Sequence, residues 1–434
     1  MHKVLIITYY WPPSGGAGVQ RWLKFVKYLR EFGWEPVIYT PLNAEYPVID
    51  DTLSKDIPVG IKVIRTPIWE PYEFYKKITG KKSTVKINSG FLNHKRSPGL
   101  VEKLSVWIRG NLFIPDARKF WIKPSVRFLN KYLNENEIDA IVSTGPPHSM
   151  HLIALALKDL LLIPWLADFR DPWTDIDYYK DMKISAFADR MHKLLELKTI
   201  KGCSAMVVVS RDMKVNYERM GASNVHLITN GFDTDDMEVQ DVVRDAKFSI
   251  SHIGTLPPSI NLKGLWQVLA DLSETLPNFR NDLEIKLIGK VDNSVTDDIS
   301  AFNLGNQFAS IEYVTHDKAA MLMKQSAILL LAINKESPNA KGILTGKFFE
   351  YLASGRPIFA IGPSDGNLAQ ILEETEAGSI SEYDDLEGMK KTVLMLYGKY
   401  LSNDLNNIPK GIEKYARRNL TAELAEVLNK MIEN

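Results

Sequence analysis

The sequence predicts an α/β protein built from two parallel-sheet domains, and three observations carry that expectation. Short apolar runs alternate with amphipathic stretches along almost the whole chain. An acidic stretch from Asp233 to Asp245 interrupts the alternation, which then resumes as a second series. The length of 434 residues suits two domains. Runs of this kind separated by helices read as strand-helix-strand units, so each half is Rossmann-like.

In order along the chain, Val4–Thr8, Pro36–Tyr39, Ile61–Arg65, Ala140–Ser143, Pro164–Asp168, Ala205–Val209 and Val225–Ile228 read as strands of the first domain. Val19, Trp22, Val26 and Leu29 recur at helical spacing and give the first helix one apolar face to lay on a sheet. The second series is Phe248–Ile253, Leu283–Ile288, Ile328–Ala332, Pro357–Ile361 and Ser379–Ile380. The expected domains are 1–240, 241–400 and a helical tail, 401–434, whose Leu420–Ile432 segment is long enough to pack back on the first domain.

Hydrophobic residues at 45% and charged residues at 24% describe an ordinary globular chain. Lys plus Arg and Asp plus Glu are equal at 53, which argues against a nucleic-acid partner. Cys203 is the single cysteine, so neither an internal disulfide nor a cysteine metal cluster is possible. The N-terminal apolar run is too short for a signal peptide, and no window has the roughly 20 apolar residues of a membrane span. A cytoplasmic protein is expected. One segment is unlike the rest: Glu73 to Arg127 holds thirteen Lys and Arg against three acids, interleaved with Phe74, Tyr75, Phe91, Trp107, Phe113, Phe120 and Trp121. Basic and aromatic residues so mixed suit the headgroup level of an anionic membrane, which makes peripheral attachment an expectation.

Five stretches carry polar chemistry where strands end. Trp11-Pro-Pro-Ser-Gly15-Gly16-Ala-Gly18 is a strand-to-helix turn whose glycines and helix start could receive an anion, although its order is not that of a dinucleotide fingerprint. Ser143-Thr-Gly-Pro-Pro-His148 places an imidazole at the carboxyl end of another strand, where open sheets bind ligands, while His151 falls within the helix that follows. Asp168-Phe-Arg170-Asp171 puts two carboxylates and a guanidinium at a third such end, costly unless paired or used on a polar ligand. In the second domain Gly254-Thr255 leads to Lys263. Finally, Thr345-Gly346-Lys347 opens a helix as an anion-binding end, with Glu350 a turn further on.

At these residues the sequence resembles the retaining glycosyltransferases of family 4, which have the GT-B architecture of two Rossmann-like domains facing each other across a cleft. The resemblance rests on Gly15, Gly16 and Gly18, on Thr229-Asn230-Gly-Phe-Asp233, on the Gly254 to Gly264 loop, and on Lys347-Phe-Phe-Glu350-Tyr-Leu-Ala-Ser-Gly355-Arg-Pro357. It implies transfer of a sugar from a nucleotide-diphosphate sugar to a glycan or lipid-linked hydroxyl acceptor, with retention and without a metal or other cofactor, in bacterial-type surface polysaccharide or glycolipid assembly. It implies that Glu350 binds the nucleotide ribose, that Lys263 and Lys347 neutralise the diphosphate, and that Gly15, Gly16, Gly18, Asn230, Gly254, Thr255, Thr345 and Gly346 complete the donor site. His148, with Asp168, Arg170 and Asp171, is expected beside the reacting sugar. Two departures stand out: the first glutamate of the family's paired motif falls on Gly342, with Lys341 or a backbone group as replacement, and Thr255 stands where an arginine is common. The alternatives are a GT-B nucleotide-sugar epimerase and a non-catalytic binding protein on the same fold.

Overall fold

A computed structural model describes residues 1–71, 100–239 and 242–433. The chain folds as two compact units, Met1–Thr229 with Leu420–Asn434, and Asn230–Asn419.

In the first unit β1 (His2–Ile7), β2 (Trp34–Pro41), β3 (Lys62–Thr66), β4 (Ala140–Gly145), β5 (Trp165–Phe169), β6 (Ala205–Val208) and β7 (Val225–Leu227) form a parallel sheet in the order β3-β2-β1-β4-β5-β6-β7. The order reverses between β1 and β4, so the loops leaving those two strands diverge there. β4, β5 and β6 are buried along their whole length because both faces are covered, whereas the edge strand β3 carries Lys62 and Arg65 and is partly exposed. In β1, Val4 and Ile6 enter one core while Leu5 and Ile7 enter the other, the two-residue period of a strand. The helix Ala17–Leu29 lays Val19, Trp22, Leu23 and Val26 into the first of these cores. Leu420, Leu424, Leu428 and Met431 of the Arg417–Glu433 helix fill the same core, and Trp34 Nε1 donates to Asn429 Oδ1 at 2.9 Å.

In the second unit β8 (Phe248–Ile253), β9 (Leu283–Ile288), β10 (Phe308–Ile311), β11 (Ile328–Ala332), β12 (Ile358–Ile361) and β13 (Gly378–Ser381) run parallel in the order β10-β9-β8-β11-β12-β13. The switch point lies between β8 and β11. Strand β10 is not among the expected elements: it is a four-residue, half-exposed edge strand with no apolar run to announce it.

Three expectations are corrected. The boundary falls at 229/230 rather than near 240, because Phe232 donates its N–H to the Tyr415 carbonyl, accepts from the Arg417 N–H and packs in the second unit's core. Residues 401–419 likewise belong to the second unit, and the return to the first begins at Leu420. In the basic segment, Trp121 is buried and stacks on Tyr39 at 4.9 Å, while the buried Arg118 pairs with Glu70 at 3.1 Å and lies over the Tyr9 ring. Neither is available to a surface. Lys76, Lys77, Lys81, Lys82, Lys86, Lys95, Arg96, Phe74, Tyr75 and Phe91 lie outside the described residues.

Candidate functional site

Each unit gathers its polar chemistry at the switch point of its own sheet. In the first, the loop after β1 holds the three glycines, and the structure gives each a different reason. A Cβ on Gly15 would stand 2.9 Å from the Asp50 Cβ, and one on Gly18 would stand 3.1 Å from the Tyr10 ring, so both glycines serve close packing. Gly16, with φ of 86°, is the left-handed residue that starts the helix, and only it among the three faces open space.

Asp168, expected to face a ligand, does not. The β5 strand puts its carboxylate in the core, fully buried. There it accepts from Arg21 Nε at 3.1 Å, Trp22 Nε1 at 2.6 Å and Thr144 Oγ1 at 2.8 Å. Burial alone would raise the Asp168 carboxyl, but the Arg21 charge and these hydrogen bonds outweigh it and hold the group below the usual carboxylate range. Arg21 spends its other donors on the carbonyls of Ile228 and Thr229. The partner was missed because it lies in the first helix; the available signal was Arg21 inside the apolar stripe of Val19, Trp22 and Val26.

Arg170 spans the two loops of the switch point. Its Nη1 donates to the Gly18 carbonyl at 2.8 Å and its Nη2 to the Pro146 carbonyl. Asp171 is exposed. His148 caps the Ser149–Leu161 helix, and its ring lies flat on Trp173, centroids 4.3 Å apart and planes 5° from parallel. Asp116 occupies the helix start beside it, accepting from the Ser149 amide and hydroxyl. Burial, then the neighbouring His151, Arg170 and His192, keep the His148 imidazole well below its ordinary pKa. Burial likewise pushes His151 down to about 3; its Nδ1 meets Ser143 Oγ at 2.8 Å.

In the second unit Gly254 follows β8 with φ of 137°, and a side chain there would collide with the Lys347 ammonium, which lies directly over it. Lys347 has no hydrogen-bond or ion-pair partner among the described residues. Desolvation lowers it to about 8 against the opposing pull of Glu350. Glu350, half-buried and equally without a hydrogen-bond partner among the described residues, is raised by burial; His316, Asp236, Lys347 and Arg417 are the charges acting on it. Among these, His316 pairs with Asp236 at 3.0 Å, a contact the sequence did not announce.

Thr345 is the N-cap of the Gly346–Ala353 helix, its hydroxyl accepting from the Phe348 N–H at 3.4 Å, and Gly346 is unobstructed. Asn230 donates to the Leu344 carbonyl at 3.4 Å, tying the chain's crossing point to this helix start. Lys263 is not drawn to the Lys347 end: it is exposed and pairs with Asp298 at 3.2 Å. The Thr255 carbonyl faces His252 Nε2 at 3.4 Å. At Gly342 a Cβ would collide with the Asn339 side-chain amide, so a larger residue there would require that amide to move.

Residues 93–236 match Glycosyltransferase Family 4. No curated protein matches the chain. Among solved structures it is similar to the sucrose-phosphate synthase of Thermosynechococcus elongatus, at 13% identity over 100% of both chains with a TM-score of 0.64. It is similar to Anabaena HepE in complex with UDP-glucose, at 13% identity over 99% and 100% of the two chains with a TM-score of 0.62. A mutant of S. aureus TarM in complex with fondaparinux, α-GlcNAc-glycerol and UDP aligns at 12% identity over 99% and 100%, with a TM-score of 0.59. The fold is therefore that of the GT-B glycosyltransferases; of the motifs behind the family resemblance, Thr229–Asp233 lies within the matched residues and the others lie outside them.

Removing the Asp168 carboxylate would strand the buried Arg21 charge. Asp168→Ala should lower the stability of the first unit by about 3–5 kcal/mol. Urea unfolding followed by tryptophan fluorescence reads this unit selectively, since eight of the nine tryptophans precede Asn230. A loss below about 1 kcal/mol would mean that Asp168 is not the anchor described.

Proposed function

We propose that the protein is a retaining glycosyltransferase of the hexosyltransferase type, moving a sugar from a nucleotide-diphosphate sugar to a hydroxyl acceptor. The observation that carries this is the Lys347 ammonium, half-buried over Gly254 with no partner among the described residues and with Glu350 one turn along the same helix. A desolvated, unneutralised cation suits a diphosphate, and an unpartnered carboxylate suits the paired hydroxyls of a ribose. As the sugar departs, charge grows on the diphosphate, where Lys347 and the N–H groups at Gly346 and Lys347 would hold it. No metal is assigned a part in this scheme. The HepE and TarM structures, solved with UDP-glucose and with UDP, support donor chemistry of this class. The first unit, with neutral imidazoles and paired carboxylates at its switch point, suits the uncharged sugar and acceptor.

The test is donor turnover over uridine, guanosine and adenosine diphosphate sugars, with and without a chelator, read by NMR of nucleotide and sugar. Release of a nucleoside diphosphate with an α-configured sugar product from an α-linked donor, unaffected by chelator, is expected. Epimerised donor, or no turnover of any donor, would overturn it.

Lys347 supplies a pH dependence. The cation is present below its pKa of about 8 and lost above it, so nucleoside diphosphate affinity should fall as pH rises from about 7 to about 9.5. Calorimetry should show that fall abolished in Lys347→Arg, and a loss of about tenfold to a hundredfold in Lys347→Ala at neutral pH. A flat profile in the parent protein would remove Lys347 from the diphosphate site.

We further propose a glycan or lipid-linked acceptor in surface polysaccharide or glycolipid assembly, met at the inner face of the cytoplasmic membrane. No helix among the described residues is long and apolar enough to cross a membrane. Trp107, Leu112 and Phe120 are exposed, and Lys123 and Arg127 stand on the Lys119–Glu135 helix that follows. Trp107→Ala with Phe120→Ala should weaken co-sedimentation with anionic vesicles at low salt; unchanged partitioning would place any attachment elsewhere.

A further inference from the structure

His148 is held from two sides in a way that fixes where its proton sits. One ring face lies flat on Trp173. On the edge, Nδ1 is sealed from solvent with no hydrogen-bond partner. What it meets is Gly145: a Cβ on that glycine would stand 3.0 Å from His148 Nδ1 and 2.5 Å from His151 Nε2. Nδ1 therefore meets no hydrogen-bonding group among the described residues, and the absence of a side chain at Gly145 is what leaves room for both imidazoles. An N–H buried there would be an orphan donor, the costlier of the two unsatisfied states, whereas a bare ring nitrogen loses less. Nε2 has no protein partner among the described residues either, but it is not sealed.

The titratable groups around the ring do not favour a second proton. His151, Arg170 and His192 face it, and each opposes an added positive charge. Asp116 is turned to the Ser149 amide and hydroxyl, and Asp168 to Arg21, Trp22 and Thr144.

We propose that Trp173 is a positioning residue that, with Gly145, holds His148 as a neutral imidazole protonated on Nε2, presenting one hydrogen-bond donor at the switch point of the first sheet. The oxygen it addresses, a hydroxyl or ring oxygen of sugar or acceptor, rests on the function proposed above; the tautomer does not. A group so fixed donates to a lone pair. It has no free Nε2 lone pair with which to take a proton from an attacking hydroxyl, so His148 orients its ligand and is not the general base.

The test is a nitrogen–proton NMR correlation on the full-length protein labelled with ¹⁵N-histidine, with the His148 signals assigned by their loss in His148→Gln. The Nε2–H pattern is expected at neutral pH, unchanged as the sample is acidified through the ordinary histidine range near 6.5. Trp173→Ala should let His148 titrate toward that ordinary value; Trp173→Phe, which keeps a ring under the imidazole, should behave as the parent. An Nδ1–H or imidazolium pattern in the parent overturns the proposal, and so does a Trp173→Ala variant with unchanged tautomer and titration. A correct tautomer in a protein that turns over no donor would sink the proposed function alone.

Discussion

The first unit depends on one buried carboxylate. Taking a charge into a protein core costs several kcal/mol after relaxation, and the cost is recovered only when every lone pair is used. At Asp168 they are: Arg21 and Trp22 reach it from the first helix and Thr144 from the neighbouring strand. Arg21 then carries the constraint on to the carbonyls of Ile228 and Thr229, where the chain leaves the unit. The first helix, β4, β5 and the last turn of the unit thus share one electrostatic knot. Arg170, two residues beyond it, can span the Gly18 and Pro146 loops because those loops are already fixed at the other end.

The two units resolve charge at their switch points in opposite ways. In the first, Asp168 is neutralised by Arg21, Glu70 by Arg118, and burial keeps the imidazoles of His148 and His151 uncharged. The Arg170 guanidinium also stands there, donating to the Gly18 and Pro146 carbonyls. In the second, Lys347 and Glu350 remain without hydrogen-bond partners among the described residues at a helix start. A cation kept short of a counter-ion at the end of a helix is an incomplete ion pair, and an anion completes it.

How much of this the sequence carries varies with the range of the interaction. Strands buried on both faces announce themselves, and β8, β9 and β11 occupy the residues their apolar runs define. The edge strand Phe308–Ile311 does not, since half its surface needs no apolar residue. Strand-end positions are legible too, and His148, Arg170, Lys347 and Glu350 all stand where the motifs put them. Their partners are not. Asp168 and Arg21 are 147 residues apart, so nothing local tells a paired carboxylate from a waiting one. Trp121 reads as a membrane aromatic beside its basic neighbours until Tyr39, from β2, is found under it. Lys263 reads as a phosphate ligand until Asp298 claims it.

The path of the chain also has a consequence for how the protein is made. Residues Asn230–Asn419 are contiguous and hold their own sheet and core, whereas the first unit lacks Leu420, Leu424, Leu428 and Met431 until the Arg417–Glu433 helix exists. Domains usually fold in the order in which they leave the ribosome. Here that order is inverted for completion: the N-terminal sheet emerges first, yet an apolar trough beside Val19, Leu23 and Val26 stays open while the entire second unit is synthesised and closes. For that interval the nascent chain presents an uncovered hydrophobic stripe, which only the C-terminal helix can close.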